Sequence, residues 1–549
     1  MNTLIAGLVA FSLLVGLTRR PLTACALTLY AALLLLVASL VKQSFLGMPM
    51  TLADVRFFLL RPGVNGALFL NYPLLGLSLL ALIGYGVAVL AVGLRVEPRC
   101  ESLSEPRSGT VLRASVAALP LAALSLGLAR TGAHPSAAAP DNYDAWQAFL
   151  TLHDMERPAG PLERLDIFFD NRDILATLPP ARDQHRFSAM QPGTDAPPPA
   201  DATAWPDILM VLEESTFDPT LIAQCPLPLC DSSLLHRPRR AVANEQGPLL
   251  VHSTGGGTWL SEFAFLSGFD WRVFGRGGAY APVSLAPRLQ HSLARRLRAL
   301  GYRTIAVCPT DGNFLNARAA YADYGFEEFY AAEELRFSAN WHSVRDTEVF
   351  GRAQEIAAHG HDPRPVFLFV LTIRNHGPHG EPGAAIPPAL EGLRSRTTAG
   401  LADYLGRMRD SAGDYAALAT RWLAAPRPRI IGWFGDHQPE TAWDFTAEPR
   451  ALRTPRLPPN LPAGQQQYLT RYQLSANFGP RTDRNSGAAL DLAYLGARLL
   501  SFAGLPPDDD ERSALAVADS CNGLMLGCAD RGLVADYLSF RIHELGAVR

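Results

Sequence analysis

Hydrophobic positions run almost unbroken through the first 130 residues and then break into short, spaced runs, so the chain divides in two. In the first part, apolar stretches at about 2–17, 21–41, 67–94 and 110–129 are long enough to cross a hydrocarbon core as helices. They predict a transmembrane region over 1–130 with about four spans. The first stretch lacks the basic flank of a signal peptide and passes into the second through Thr18-Arg19-Arg20-Pro21, which favours a span over a cleaved leader. From 131 to 205 the chain is rich in Ala and Pro, ending in Asp195-Ala196-Pro197-Pro198-Pro199-Ala200. This reads as a linker with one or two juxtamembrane helices between Tyr143 and Leu178.

Beyond Trp205 the pattern alternates between buried-strand runs and helical periodicity, as a mostly parallel sheet with helices on both faces requires. Asp207 to Leu212, Thr304 to Val307, Val366 to Leu371 and Ile430 to Phe434 read as strands. Trp259 to Leu266, Leu289 to Leu300 and Gly400 to Leu423 read as helices. The expected fold is therefore α/β, with amino-terminal transmembrane helices followed by one catalytic domain over 206–549.

Composition adds a compartment to this picture. The 549 residues are 48% hydrophobic and carry a net charge of -3, with no basic run, which leaves no electrostatic footprint for nucleic acid. Arg19 and Arg20 lie in the first loop and Arg95, Arg99, Arg107 and Arg113 in or beside the third, while the middle loop holds Lys42, Arg56 and Arg61. By the positive-inside rule the first and third loops are cytoplasmic, and everything after about 130 is extracytoplasmic. Cys225 with Cys230 and Cys521 with Cys528 are close enough along the chain for two local disulfides, which suits an oxidising compartment.

Candidate chemistry gathers where three strands end. The first runs into Glu213-Glu214-Ser215, the third into Arg374-Asn375-His376-Gly377-Pro378-His379, and the fourth into Gly435-Asp436-His437-Gln438-Pro439. In open α/β sheets ligands bind outside the carboxyl ends of strands, so these carboxylates and histidines are expected on one edge. Hard oxygen donors with imidazole suit Zn²⁺ or Mn²⁺. The stretch Gly255-Gly256-Gly257-Thr258-Trp259-Leu260-Ser261-Glu262-Phe263 opens a helix after three glycines. Its Thr258 hydroxyl serves either as a helix cap or as a nucleophile held where backbone N–H groups stabilise an anion.

The glutamate-serine turn, Gly-Gly-Thr-x-x-Ser-Glu-Phe, Asn-His-x-Pro and Gly-Asp-His, in this order, resemble the sulfatase-like domain of the alkaline phosphatase superfamily, specifically its lipoteichoic acid synthase-like membrane phosphotransferases. The resemblance covers roughly 206–505. It implies metal ligation by Glu214, Asp436 and His437, and makes Thr258 both ligand and nucleophile. It also places His376 at the substrate, with Arg318, Asn316, His379 and Trp341 as further substrate contacts. The implied reaction moves a phosphoglycerol or phosphoethanolamine head group from a membrane phospholipid to an envelope glycan or lipid through a phosphothreonine, with Mn²⁺ or Zn²⁺ as cofactor. The implied location is a multi-pass bacterial inner-membrane protein with a periplasmic catalytic domain and no obligatory protein partner. Two departures stand out. Phe314-Leu315-Asn316-Ala317-Arg318 replaces the family's Phe-Trp-Asn-Arg, and His342 stands for the glycine of its Trp-Gly-x-x-Asp element, in which Asp346 lies one residue late. The Cys/Ser-x-Pro-x-Arg motif of true sulfatases is absent, which leaves sulfuric or phosphoric ester hydrolysis as the alternative reaction and an inactive membrane-tethered binding module as the alternative class.

Overall fold

The computed structural model describes residues 2–46, 49–55, 73–100 and 160–169, isolated positions between 178 and 187, and 205–549 apart from 222–236, 339–340, 342–343, 360–361, 381–397, 440–456 and 526. It divides into two compact units, Met1–Leu175 and Ala176–Arg549, a division that falls inside the stretch read as linker. The expected span at 110–129 and the Cys225 and Cys230 pair lie outside the described residues.

The first unit contains three apolar helices, α1 (Asn2–Thr18), α2 (Pro21–Leu46) and α3 (Pro73–Val96). Leu29, Leu33, Leu77 and Leu80 are each more than half exposed, and helices apolar on every side belong in a bilayer. This is the unit of a membrane protein. Of the about four spans expected, two are found among the described residues and the one at 110–129 lies outside them, so a multi-pass region beyond these two is not supported. Among the described residues only Pro21–Gln43 and Gly76–Val96 are long and apolar enough to cross, because α1, at 17 residues, falls short of the roughly 20 that a hydrocarbon core needs.

One carboxylate ties these helices together. Glu97, just past α3, accepts from the Leu22 and Thr23 backbone N–H groups at 2.8 and 2.6 Å and from the Thr23 hydroxyl at 2.5 Å. It thereby satisfies first-turn donors of α2 and complements that helix's dipole. Arg20 Nε donates to the Glu97 carbonyl at 2.6 Å, so Arg19 and Arg20 gather beside Arg95 and Arg99 at one end of the bundle. Towards the other end of α2, Lys42 pairs with buried Asp54 at 2.8 Å. There Arg164, on the short helix α4 (Pro161–Phe169), donates to Gln43.

The second unit is built on one sheet. In chain order its strands are β1 (Asp207–Glu213), β2 (Ala243–Leu250), β3 (Arg303–Val307), β4 (Glu328–Tyr330), β5 (Val366–Leu371), β6 (Arg429–Gly435), β7 (Leu469–Ala476), β8 (Thr482–Asn485) and β9 (Leu490–Asp491). Their spatial order is β4-β3-β5-β1-β6-β7-β2-β8, with β9 beside β2. The four strands read from the sequence are neighbours at its centre and all parallel. Every position of β1 and β5 is buried, which is why they read as continuous apolar runs. Antiparallel β7, between β6 and β2, makes the sheet mixed.

Helices cover both faces: α5 (Thr258–Ser267), α6 (Leu293–Ala299), α7 (Asp346–Ala358), α8 (Thr398–Trp422) and α9 (Leu492–Phe502). Trp433 of β6 packs on Tyr415 of α8 with ring centroids 6.4 Å apart, whereas Phe434 packs on Phe265 of α5 at 4.8 Å. Successive strand residues point to opposite sides, so α5 and α8 lie on opposite faces. The same alternation decides between two adjacent glutamates. Val211 pairs in register with Trp433 and Leu212 with Phe434. Glu214 therefore falls on the α5 side and Glu213 on the α8 side.

Gly435 lets the turn after β1 pass close against the end of β6, since a Cβ there would overlap the Thr216 carbonyl oxygen. Gly435→Ala should destabilise this unit by about 2–4 kcal/mol and lower the thermal midpoint. A melting curve unchanged from wild type would mean that this close approach is absent. Cys521 and Cys528, both buried, are disulfide-bonded across a separation of 7 residues. Non-reducing peptide mapping should recover them linked, and Cys521→Ser should cost about 2–3 kcal/mol by loop entropy. Recovery of both as free thiols from freshly prepared membranes would refute the bond.

Candidate metal centre and active site

Three chain segments meet at the carboxyl end of the sheet. β1 delivers Glu214, whose N–H donates to the Thr372 hydroxyl at 3.0 Å. Ser215 follows in the left-handed region at φ 48° and turns the chain so that its own N–H donates to Asp436 Oδ1 at 2.7 Å. β6 delivers Asp436 and His437 beside it. The third segment is the glycine loop: Gly257, at φ 89°, makes a turn that L side chains rarely adopt and starts α5 with Thr258 in its first turn. That loop and helix are tied to the end of β6 at two points. Gly255 N–H donates to the Gln438 carbonyl at 2.9 Å, and the Ser261 hydroxyl to the Asp436 carbonyl at 2.6 Å.

The result brings together all four residues expected to form the centre. Thr258 Oγ1 donates to Glu214 Oε2 at 3.3 Å and lies 3.4 Å from His437 Nε2. His437 Nε2 is 3.2 Å from Asp436 Oδ2 and 3.7 Å from Glu214 Oε1. Its Nδ1–H donates to the Gln438 carbonyl at 3.1 Å, so the Nε2 lone pair faces the carboxylates. A backbone carbonyl that holds the far nitrogen in this way is the usual outer support of a metal-binding histidine.

Electrostatics at this point are unbalanced. Glu214, Asp436 and His437 are each at most 2% exposed. Burial, reinforced by the Asp436 charge, pushes the Glu214 carboxyl well above its ordinary range, and burial also raises Asp436. One turn beyond Thr258, burial pushes Glu262 up to about 7. Asp436 Oδ2 has no hydrogen-bond partner although it is fully buried. Buried charge without compensation is costly, and a divalent cation would supply what is missing. One donor atom from each of Glu214, Asp436 and His437 lies within 4.8 Å of the others, and two carboxylates with one imidazole suit such an ion.

The residues expected at the substrate divide into two groups. Trp341 and His376 meet with ring centroids 4.4 Å apart, and Phe314 packs edge-on against Trp341 at 5.7 Å. Leu315 and Asn316, at φ 49° and 66°, provide the strained turn after Phe314. Asn316 itself donates to the Pro282 carbonyl at 2.9 Å. Arg318 is paired with Glu334 at 2.9 Å and lies over the Phe329 ring. His379 Nε2–H donates to the Asn375 carbonyl at 2.9 Å, and its ring packs edge-on against Tyr404 of α8. Ser215, Ser261 and Asn375, which hold these segments in place, stood inside the sequence motifs but were given no role there, because their bonds reach partners that only the fold brings near.

A family model described as Sulfatase matches residues 206–396. Over 357 residues the chain is 29% identical to an uncharacterized protein of Haemophilus influenzae, covering 63% of this chain and 62% of that one. It is 26% identical over 318 residues to a protein of Rhizobium meliloti described as a candidate cyclic beta-1,2-glucan modification protein, covering 54% of this chain and 46% of the relative. The chain thus spans less than two thirds of the length of either relative. Among solved structures, the Streptococcus pyogenes phosphoglycerol transferase GacH in complex with sn-glycerol-1-phosphate aligns at 16% identity and a TM-score of 0.47, over 63% of this chain and 90% of that one. The lipooligosaccharide phosphoethanolamine transferase EptA from Neisseria meningitidis aligns at 11% identity and a TM-score of 0.47, over 91% and 94%. The family match spans the segment that carries Glu214, Thr258 and His376, so residues 206–396 carry a sulfatase family-model domain, in keeping with the sulfatase-like domain that the sequence motifs resemble.

Proposed function

We propose that this protein is a divalent-metal-dependent membrane phosphotransferase that moves a phosphoglycerol, or alternatively a phosphoethanolamine, head group from a phospholipid to an envelope glycan or lipid. The observation that carries the reading is the Thr258 hydroxyl, 3.3 Å from Glu214 Oε2 and 3.4 Å from His437 Nε2 on the first turn of a helix. A hydroxyl needed only as a cap would have no reason to point at two potential ligands. The buried disulfide supports placing the domain in the periplasm, outside the inner membrane, and the arginines gathered at one end of the amino-terminal bundle agree with it when the chain crosses once more at 110–129.

Glu214, Asp436, His437 and Thr258 Oγ1 would hold the ion, Mn²⁺ or Zn²⁺. When bound it would act as a Lewis acid that favours the threonine alkoxide and offsets charge on the phosphoryl oxygens. Thr258 Oγ1 then attacks the head-group phosphorus, giving up its proton to solvent, as the bond from phosphorus to the diacylglycerol oxygen breaks. His376, with Nδ1–H donated to the Gly377 carbonyl at 2.6 Å, protonates that leaving oxygen from Nε2. In the second step the acceptor hydroxyl loses its proton to His376 and attacks the phosphothreonine, and Thr258 leaves with a proton from solvent. Backbone N–H groups at the start of α5 favour the developing charge in both steps.

Asp436→Asn and His437→Ala should each lower metal affinity by more than the roughly 10–100-fold that loss of an outer support costs. Elemental analysis of purified, detergent-solubilised protein gives the answer, and full occupancy in both variants would refute the ligand set.

Thr258→Ala should fold, insert and lose at least on the order of a thousandfold in turnover, while Thr258→Ser keeps measurable activity. Brief reaction with phosphatidylglycerol labelled in its head group, followed by acid quench and peptide mass spectrometry, should find the added mass on Thr258. An ester hydrolase that uses water directly would tolerate Thr258→Ala and show no adduct, and that result would replace the transferase reading with hydrolysis.

A further inference from the structure

One face of α8 does more than cover the sheet. Asp403, Tyr404, Arg407 and Ser411 recur at helical spacing, and each is bonded to a loop that leads away from a site strand. Arg407, with a side chain 3% exposed, donates from Nη1 to the His376 carbonyl at 3.1 Å and from Nη2 to the Pro378 carbonyl at 3.5 Å. It also grips Asp403 with two bonds, Nε to Oδ1 at 3.0 Å and Nη2 to Oδ2 at 2.6 Å. Asp403 Oδ2 in turn accepts the Gly380 N–H at 2.9 Å. Although burial works to raise it, the Asp403 carboxyl is held below its ordinary range by Arg407 and by that N–H. Further along the helix, the Tyr404 hydroxyl donates to the Ser215 carbonyl at 2.6 Å, and the Ser411 hydroxyl to Asn375 Oδ1 at 3.3 Å. Asn375 closes the circuit by donating to the Thr216 hydroxyl at 3.1 Å.

An ion pair four residues apart on an exposed helix face contributes little, and a buried one repays its desolvation only when its remaining donors are matched. Here those donors go to the carbonyls of the loop that carries His376. The rigid planar fork of arginine suits the task, because it can bind a carboxylate and two carbonyls at once. His376 is also held by the Nδ1 bond to the Gly377 carbonyl, by the Trp341 ring and by its own N–H, which donates to the Ile373 carbonyl at 3.0 Å, and the α8 pair adds the ties to the following residues, Pro378 and Gly380.

We propose that Arg407 and Asp403 are a positioning pair, which fixes the 376–380 loop so that His376 Nε2 stands at a set place relative to the reacting phosphate. The assignment rests on the role given to His376 above. The pair touches neither substrate nor metal, so its effect reaches the reaction only through His376.

The test uses the full-length chain in detergent with three readouts: metal content, hydrogen exchange of the peptide containing 373–380, and turnover of phosphatidylglycerol. Arg407→Ala should keep wild-type metal content, speed exchange of the Gly380 amide by at least about tenfold and lower kcat roughly ten- to a hundredfold, with KM changed far less. Arg407→Lys should recover part of kcat. Asp403→Asn, which keeps the shape of the side chain, should repeat the exchange effect if Arg407→Ala does not fold. In a His376→Ala background, Arg407→Ala should cost no more than about a further twofold, because a residue that acts through another has nothing left to act on. Full additivity in that background, or unchanged exchange in both Arg407→Ala and Asp403→Asn, would overturn the proposal. Wild-type turnover of His376→Ala alone would instead refute the role given to His376, whatever the exchange data show about the clamp.

Discussion

Everything at the candidate centre depends on two parallel strands ending at the same level. β1 and β6 pair in register from Asp207 with Arg429 to Glu213 with Gly435, so the next residue of each strand, Glu214 and Asp436, emerges on the same side and at the same height. Two buried carboxylates so placed repel each other and are poorly solvated, which would push the strand ends apart unless something compensated. Within the protein the compensation is partial. Asp436 Oδ1 takes two backbone N–H bonds, from Ser215 and His437, while its Oδ2 takes none. Oδ2 is left buried with His437 Nε2 3.2 Å away, a setting that would suit a cation.

The surrounding elements then work as fixings rather than ligands. Gly435 lets the turn after β1 pass close against β6, Gly257 turns the loop into α5, and Ser261 binds α5 to the end of β6. On the opposite face of the sheet α8 reaches around the strand ends through Tyr404, Arg407 and Ser411 to hold the loops after β1 and β5. Metal-site geometry tolerates only a few tenths of an ångström, and these are mostly buried hydrogen bonds to backbone, the kind least able to drift. A centre assembled from three distant stretches of chain needs restraint from both faces of the sheet.

In the membrane unit the charged groups of α1, α2 and α3 sit where helices begin and end. Glu97 caps α2 from the end of α3, and Lys42 with Asp54 occupies the other end of α2. This is the arrangement expected when the middle of each helix must face hydrocarbon and only its ends meet water. It also explains why the arginine pattern of the sequence could be read as topology. The loop after α1 and the segment after α3 share one end because Glu97 and Arg20 bind them there.

What could be read directly from the sequence was whatever depends on local periodicity. The four central strands were legible because each is buried on both faces and therefore continuously apolar, and the apolar helices because lipid makes the same demand. The candidate ligand types at strand ends were legible too, since an acid and a histidine such as Asp436 and His437 directly after a buried strand are hard to justify by packing. β2 and β7 were missed because each mixes polar with apolar residues along its length, and the antiparallel order that makes the sheet mixed leaves no trace in composition. The first expected span is a shorter apolar helix, α1, next to the two long ones. The choice of Glu214 over Glu213, which the sequence left to family resemblance, was decided by register with β6, because a single-residue offset reverses the face of every side chain. The diversion of Asn316 to the Pro282 carbonyl and of Arg318 to Glu334 likewise depended on neighbours brought in by the fold. So did the grip of Arg407 on the His376 loop, which joins residues 31 positions apart through a contact that only packing creates.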